Sequence, residues 1–257
     1  MKRKIDSTQR RDFIKKISLT SIGLAGIPFL SSAEPKPQKT NIALPKNAVI
    51  LFQGDSITDM GRDRDIKEAD NGKGLGFGYP YQVSADLLGA YSSINFQCFN
   101  RGISGNKVFQ LADRWDDDCL NLKPNILSIL IGVNDFWHTL TNNYTGTAKV
   151  YEDDFRKLLD RTKEALPDVY LIIGQPYAIK GGSAINDKWF PAFLDYQKAA
   201  EKIAADYNAV FIPYQEVFDS ALSKAPVEYW SPDGVHPTVA GSYLMKKAWL
   251  KAFTELK

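Results

Sequence analysis

The sequence predicts an α/β fold, a three-layer α/β/α sandwich built on a five-stranded parallel sheet. Three observations predict it. Five short apolar runs recur along the chain, each too short for a typical helix and long enough for a buried strand. Stretches of helical period separate them, the alternation that covers a parallel sheet on both faces through right-handed crossovers. Polar, turn-forming segments follow the runs, at the carboxyl edge where open α/β sheets place their sites. At 257 residues the chain has room for one such domain with a full core. No internal repeat, low-complexity stretch or second domain interrupts it.

The first run, Ala48-Val49-Ile50-Leu51, leads into Phe52-Gln53-Gly54-Asp55-Ser56-Ile57-Thr58. A strand ending in Gly-Asp-Ser delivers a hydroxyl to the sheet edge, although the triplet alone also reads as an ordinary turn. Residues 59–78 carry Gly61, Gly72, Gly74, Gly76 and Gly78 among many charges, without helical period. Such a loop shapes a binding site or is simply an insertion. A helix is expected from Tyr79-Pro80 to Leu88, with Gly89 as its stop.

The second strand reads Ser93 to Phe99 and opens into Asn100-Arg101-Gly102-Ile103-Ser104-Gly105-Asn106. Glycines there let backbone N–H groups come close to a ligand. A phosphate cradle would need a Gly-Lys-Ser/Thr ending, which is missing, and no Gly-x-Gly-x-x-Gly follows a strand. Helical period resumes from Val108 to Leu120. The third strand, Ile126 to Ile131, is the clearest and ends in Gly132-Val133-Asn134-Asp135. Asn134 reads either as a donor to a substrate oxygen or as a turn residue.

A helix over about residues 150–166 precedes the fourth strand, Val169 to Ile173. A substrate-side loop over 175–190 follows, with Gly181-Gly182 and Trp189. A helix over about 191–207, a fifth strand from Ala209 to Ile212 and a short helix around 215–222 then lead to Asp233-Gly234-Val235-His236-Pro237. Pro237 suits the first turn of the last helix, which runs to about Glu255.

The amino-terminal stretch stands apart. Lys2, Arg3, Lys4, Arg10, Arg11, Lys15 and Lys16 precede an apolar stretch over 17–30 and then Ser31-Ser32-Ala33, the order of an export signal. Arg10-Arg11-Asp12-Phe13-Ile14-Lys15 is similar to a twin-arginine signal, with Gln9 where Ser or Thr is more usual. The apolar stretch is short for a membrane anchor and broken by glycines and Pro28. Cleavage is therefore expected, leaving a periplasmic or secreted protein with no stable membrane span. Residues 34–46 read as a linker and 47–257 as the domain.

Seven of the 32 Lys/Arg and two of the 30 Asp/Glu lie in residues 1–33, leaving 25 against 28 and a net charge of −3 instead of +2. The apparent basicity belongs to the signal, and no nucleic-acid partner is indicated. Cys98 and Cys119 are too few for a disulfide framework and read as buried free thiols. No Cys/His cluster has zinc-ligand spacing, so no metal is expected.

Four polar blocks remain, in order Gly54-Asp55-Ser56, Asn100-x-Gly102-x-x-Gly105, Gly132-x-Asn134-Asp135 and Asp233-x-x-His236. Together they resemble the SGNH hydrolase superfamily, the GDSL esterases and lipases, over about residues 47–253. The resemblance implies a flavodoxin-like sheet and a serine esterase that needs no cofactor and no metal. It implies Ser56 as nucleophile, His236 as the base that later acts as acid, and Asp233 as the partner that orients His236. It also implies three oxyanion donors: the N–H groups of Ser56 and Gly105, and the Asn134 side chain. Gly102 is read as a turn residue. The α/β-hydrolases differ, with Gly-x-Ser-x-Gly and an acid well before the histidine; here Thr58 takes the last glycine's place and Asp233 sits beside His236.

The function expected is an exported esterase removing short acyl groups, with a small-molecule or glycan ester as substrate. Acetylated carbohydrate is favoured by export, by polar glycine-rich loops and by Trp137, Trp189 and Trp230 in predicted loops. A lysophospholipase or thioesterase is the enzymatic alternative, and a non-catalytic binding module or a flavin binder would share the fold. His138 reads as a pocket or packing residue, outside the catalytic set. Asp59 and Asp135 read as holders of loop N–H groups, and Asp116-Asp117-Asp118 as a solvated helix face.

Overall fold

The computed structural model describes residues 42–257; the expected export signal and the first part of the expected linker lie outside the described residues. Five strands, Val49–Gly54 (β1), Gln97–Asn100 (β2), Ile126–Leu130 (β3), Tyr170–Gly174 (β4) and Val210–Ile212 (β5), form one sheet. Its order is β2-β1-β3-β4-β5 and every neighbouring pair is parallel. The chain winds from β1 to β2, then returns to the other side of β1 with β3. At such a reversal a crevice opens beyond the carboxyl ends of the two strands. Gly54 pairs with Leu130, so the segments carrying Ser56 and Asn134 leave the sheet side by side.

The helices are, in chain order, Ser56–Asp59 (α1), Gly72–Leu75 (α2), Tyr79–Ala90 (α3), Val108–Ala112 (α4), Trp115–Asp118 (α5), Val133–Thr141 (α6), Ala148–Ala165 (α7), Phe193–Asp206 (α8), Tyr214–Ala221 (α9), Val227–Trp230 (α10) and Val239–Glu255 (α11). Helices α3, α9 and α11 pack together on one side of the sheet, and α4, α7 and α8 on the other. Side chains alternate along β1 as a pleated strand requires. Phe52 meets Tyr79 of α3 and Trp249 of α11, whereas Gln53 points the opposite way and donates to the Asp118 carbonyl at 2.8 Å. All five residues of β3 are buried. Its one hydroxyl, Ser128, accepts a hydrogen bond from Trp249 Nε1 at 2.9 Å, so the central strand buries no orphan polar group there. Cys98 and Cys119 are buried free thiols. Among the described residues no helix is long and apolar enough to cross a membrane.

The five strands stand where the apolar runs predict them, but several boundaries move. β2 begins at Gln97, not Ser93. Residues before it form a turn in which Asn95 takes φ +58°, a left-handed conformation that Asn tolerates well. Gly89 does not stop α3, which runs to Ala90. The single helix expected from Val108 to Leu120 breaks into α4 and α5, because Arg114 is drawn out of helical geometry (φ −118°, ψ 12°). Its guanidinium reaches the Arg101 carbonyl at 2.8 Å and Asn106 Oδ1 at 3.1 Å. Four helices leave no pattern in the sequence: the one-turn α1 after β1, α2 inside the 59–78 loop, α6 starting directly after β3, and α10. Pro237 precedes α11 instead of entering it; Thr238 is the N-cap, its hydroxyl accepting from the Gly241 amide at 3.1 Å.

Candidate active site

Ser56 is placed by backbone constraints on either side. Gly54, at φ +158°, has no room for a side chain, since a Cβ there would lie 2.2 Å from the Leu130 carbonyl and 2.5 Å from Thr58 Oγ1. Asp55 then caps the one-turn helix α1: its Oδ1 accepts the Ile57 amide at 3.0 Å, and its carbonyl accepts the amides of Thr58 and Asp59. The cap leaves Ser56 at the first helical position, half-buried, with its Oγ 2.7 Å from His236 Nε2.

His236 is held in turn. Its Nδ1 lies 2.6 Å from Asp233 Oδ2, while Asp233 Oδ1 accepts the amides of His236 at 2.7 Å and Val235 at 2.9 Å. Burial opposes ionisation of Asp233, but the His236 ring and these two amides outweigh it and hold the carboxyl at about 2. The same carboxylate pulls the His236 imidazole above its ordinary 6.5, with burial opposing. The Asp233 loop leans on the segment after β4. Ile179 N donates to the Gly234 carbonyl at 2.8 Å, Ala184 N to the Asp233 carbonyl at 3.1 Å, and Ser183 N to the Pro232 carbonyl at 3.1 Å. Residues 175–190, expected as a substrate-side loop, thus also brace the acid and base.

The segment 100–106 is clamped from several directions. Asn100 Nδ2 donates to the carbonyls of Thr58 at 2.6 Å and Leu75 at 2.8 Å, and its Oδ1 accepts the Gly102 amide at 2.9 Å. The buried Arg62 donates from Nε to the Gly102 carbonyl at 2.7 Å. Asp59 accepts both the amide and the hydroxyl of Ser104, at 2.9 and 2.8 Å, and pairs with Arg64. Gly102 sits so close to α1 that a Cβ would lie 2.5 Å from the Asp59 amide nitrogen, which explains the glycine without a catalytic role. Gly105 is different. It takes φ +83° with open space where a Cβ would stand, and among the described residues its N–H has no acceptor. Asn134 lies in the first turn of α6, buried, and its Nδ2 donates to the Asn106 carbonyl at 3.2 Å, tying the two segments together.

Sequence reasoning missed Arg62 and Arg114 as the struts of this loop. No motif marks them, since each acts on a backbone carbonyl far along the chain. Asp118 also departs from its expected solvated role, turning its carboxylate to Arg114 at 2.7 Å and Arg101 at 3.7 Å, while Asp116 stays exposed. The tryptophans need correction too. Trp189 is fully buried and donates to the Ala184 carbonyl, and Trp230 donates to the carbonyls of Ala221 and Ala225. Both belong to the scaffold. Trp137 alone of the three is half-exposed, on α6 and not in a loop, with its ring 6.3 Å from that of His236.

Asp55 and Asp135 are fully buried beside the site, and burial pushes both carboxyls up to about 7. Each spends Oδ1 on a backbone amide, Ile57 and Val108 respectively, and leaves Oδ2 without a partner. A folded-state value above 3.8 means that the folded chain holds these protons more tightly than the unfolded chain. Their stabilising effect is full below about pH 4 and is lost as pH rises towards about 7. His236, also raised, acts in the same direction, whereas Asp233 has delivered its share by about pH 5. The urea midpoint is thus expected to be higher near pH 5 than near pH 8, with a smaller drop in Asp135→Asn. A midpoint that climbs between those values would contradict the burial argument.

Residues 52–244 match the family described as GDSL-like lipase/acylhydrolase. The chain is 34% identical over 206 residues to an acetylxylan esterase of Geobacillus stearothermophilus, over 79% of this chain and 92% of that one. Among solved structures, a protein of Parabacteroides merdae described as GDSL-like lipase superposes with a TM-score of 0.81 at 47% identity, over 85% of this chain and 99% of that one. Axe2, an acetylxylan esterase from Geobacillus stearothermophilus, superposes with a TM-score of 0.74 at 31% identity, over 82% of this chain and 96% of that one.

Proposed function

This chain belongs to the GDSL-like lipase/acylhydrolase family and is a carboxylic ester hydrolase, and from that premise we propose that it removes O-acetyl groups from carbohydrates through an acyl-enzyme on Ser56. The observation that carries the proposal is the unbroken chain Ser56 Oγ–His236 Nε2–Asp233 at 2.7 and 2.6 Å. Ser56 Oγ attacks the ester carbonyl as its proton passes to His236 Nε2. The tetrahedral oxyanion is met by the N–H groups of Ser56 and Gly105 and by the Asn134 amide. His236 then gives the proton to the departing sugar oxygen, leaving acetyl-Ser56. A water attacks this ester with His236 again as base, and acetate and free Ser56 are released. Asp233 stays ionised throughout, holding the imidazole in one tautomer and stabilising its cation.

Short acyl groups on sugar are supported by the acetylxylan esterase likeness and by the Trp137 ring beside His236, a surface on which a sugar face can rest. The export signal read in residues 1–33 would carry the enzyme to acetylated polysaccharide outside the cytoplasm. The test is hydrolysis of p-nitrophenyl esters from acetate to octanoate, together with acetate release from acetylated xylooligosaccharide. Acetate is expected to be the preferred acyl group; preference for octanoate would overturn the short-chain reading.

Two further results are expected. Asn134→Ala is expected to lower kcat about 10²- to 10³-fold with little change in KM, because its amide acts on charge that exists only in the transition state. A rise in KM at unchanged kcat would remove Asn134 from the oxyanion site. The acid limb of kcat/KM is expected to have its midpoint above 6.5, since His236 must be neutral to accept the serine proton and Asp233 raises its pKa. An acid limb centred below that value would contradict the pairing.

A further inference from the structure

Residues 106–108 run beside the first turns of α6 and are tied to it three times. Asn134 Nδ2 donates to the Asn106 carbonyl and the Val108 amide donates to Asp135 Oδ1, each at 3.2 Å. Between these ties Lys107 Nζ lies 3.0 Å from His138 Nδ1. Lys107 is buried, and its ammonium lies over the rings of Phe109 and Tyr144, 5.5 and 5.1 Å from their centroids. Those rings stack at 24° with centroids 6.1 Å apart. The lysine is therefore buried against these two rings and His138.

Its chemistry dictates the state of the histidine. An ammonium carries three donors and no acceptor. His138 Nδ1 must accept, so the ring is neutral and its proton sits on Nε2. Burial and the adjacent cation both lower the affinity of His138 for a second proton. The ring is half-buried, and among the described residues Nε2 has no hydrogen-bond partner. An oriented N–H donor is thus left over.

The donor lies near the reaction. Asn134, Trp137 and His138 stand at positions i, i+3 and i+4 of α6 and so share one face. Trp137 on that face reaches the His236 ring. His138 lies four residues beyond Asn134, about 6 Å along the helix, on the face that carries the Asn134 amide and the Trp137 ring. We propose that His138, pinned as its Nε2–H tautomer by Lys107, is a specificity-determining donor to an oxygen of the sugar that bears the acetyl group. The inference rests on the carbohydrate-ester reading above.

The test compares kcat/KM on acetylated xylooligosaccharide with kcat/KM on p-nitrophenyl acetate, which has no sugar oxygen to receive the bond. In His138→Phe the ratio of the two is expected to fall by up to about tenfold, the worth of one lost hydrogen bond, mostly through KM on the oligosaccharide. His138→Gln, whose side-chain N–H reaches nearly the same place, is expected to restore part of it. Nitrogen NMR of the wild type, in which only two histidines contribute, is expected to show His138 protonated on Nε2, with the tautomers mixing in Lys107→Met. A ratio unchanged in His138→Phe, or a wild-type proton on Nδ1, would overturn this inference alone. Failure of the wild type on the oligosaccharide, with p-nitrophenyl acetate still cleaved, would overturn the carbohydrate reading and this inference with it.

Discussion

Ser56→Ala is expected to lower kcat on p-nitrophenyl acetate by about 10⁴- to 10⁶-fold, leaving only the modest catalysis of an oxyanion site without a nucleophile. The size follows from the geometry. Ser56 Oγ lies against His236 Nε2, and without it the imidazole has no nucleophile's proton to take and no covalent intermediate forms. The fold has little reason to respond. Asp55 still caps α1 through the Ile57 amide, Gly54 still turns the chain, and Ser56 itself is only half-buried. Stability is expected to change by less than about 1 kcal/mol, so unfolding curves should superpose while activity disappears. Activity within tenfold of the wild type would remove Ser56 as nucleophile.

Asp233→Asn is expected to cost about 10⁴-fold in kcat by another route. The carboxylate accepts from His236 Nδ1 with one oxygen and from two backbone amides with the other. An asparagine that keeps its oxygen on the two amides turns an NH₂ donor towards Nδ1. The ring then carries its proton on Nε2, facing Ser56, where a base is needed. Loss of the negative charge also removes what raises the His236 pKa, so the acid limb of the residual activity is expected to move to lower pH. A large drop in kcat with an unmoved acid limb would assign Asp233 to holding the loop, not to orienting the base.

Much of this was legible in the sequence because strand runs and the polar blocks behind them are local. Ala48 to Leu51 and Ile126 to Ile131 could hardly be other than buried strands, and a parallel order then brings Ser56, Gly105, Asn134 and His236 to one edge. What stayed hidden depends on contacts distant in sequence. The break between α4 and α5 follows from Arg114 reaching back to Arg101 and Asn106, against a local pattern that reads as one helix. The 175–190 segment looks like an open loop, yet three of its amides are spent on residues 232–234. Trp189 and Trp230 have a composition that suggests a sugar platform, but their packing makes them core. His138 is an isolated histidine on paper. Only the fold sets Lys107 against it and so fixes which nitrogen carries the proton.

The most direct test of the central claim is to trap the intermediate. The wild type and Asp233→Asn would be mixed with p-nitrophenyl acetate, quenched in acid within the first turnovers, digested and analysed by mass spectrometry. The account predicts one acetyl group on the peptide containing Ser56, with its accumulation depending on whether Asp233→Asn slows deacylation more than acylation. An active enzyme whose trapped acetyl group sits on a side chain other than Ser56 would contradict it.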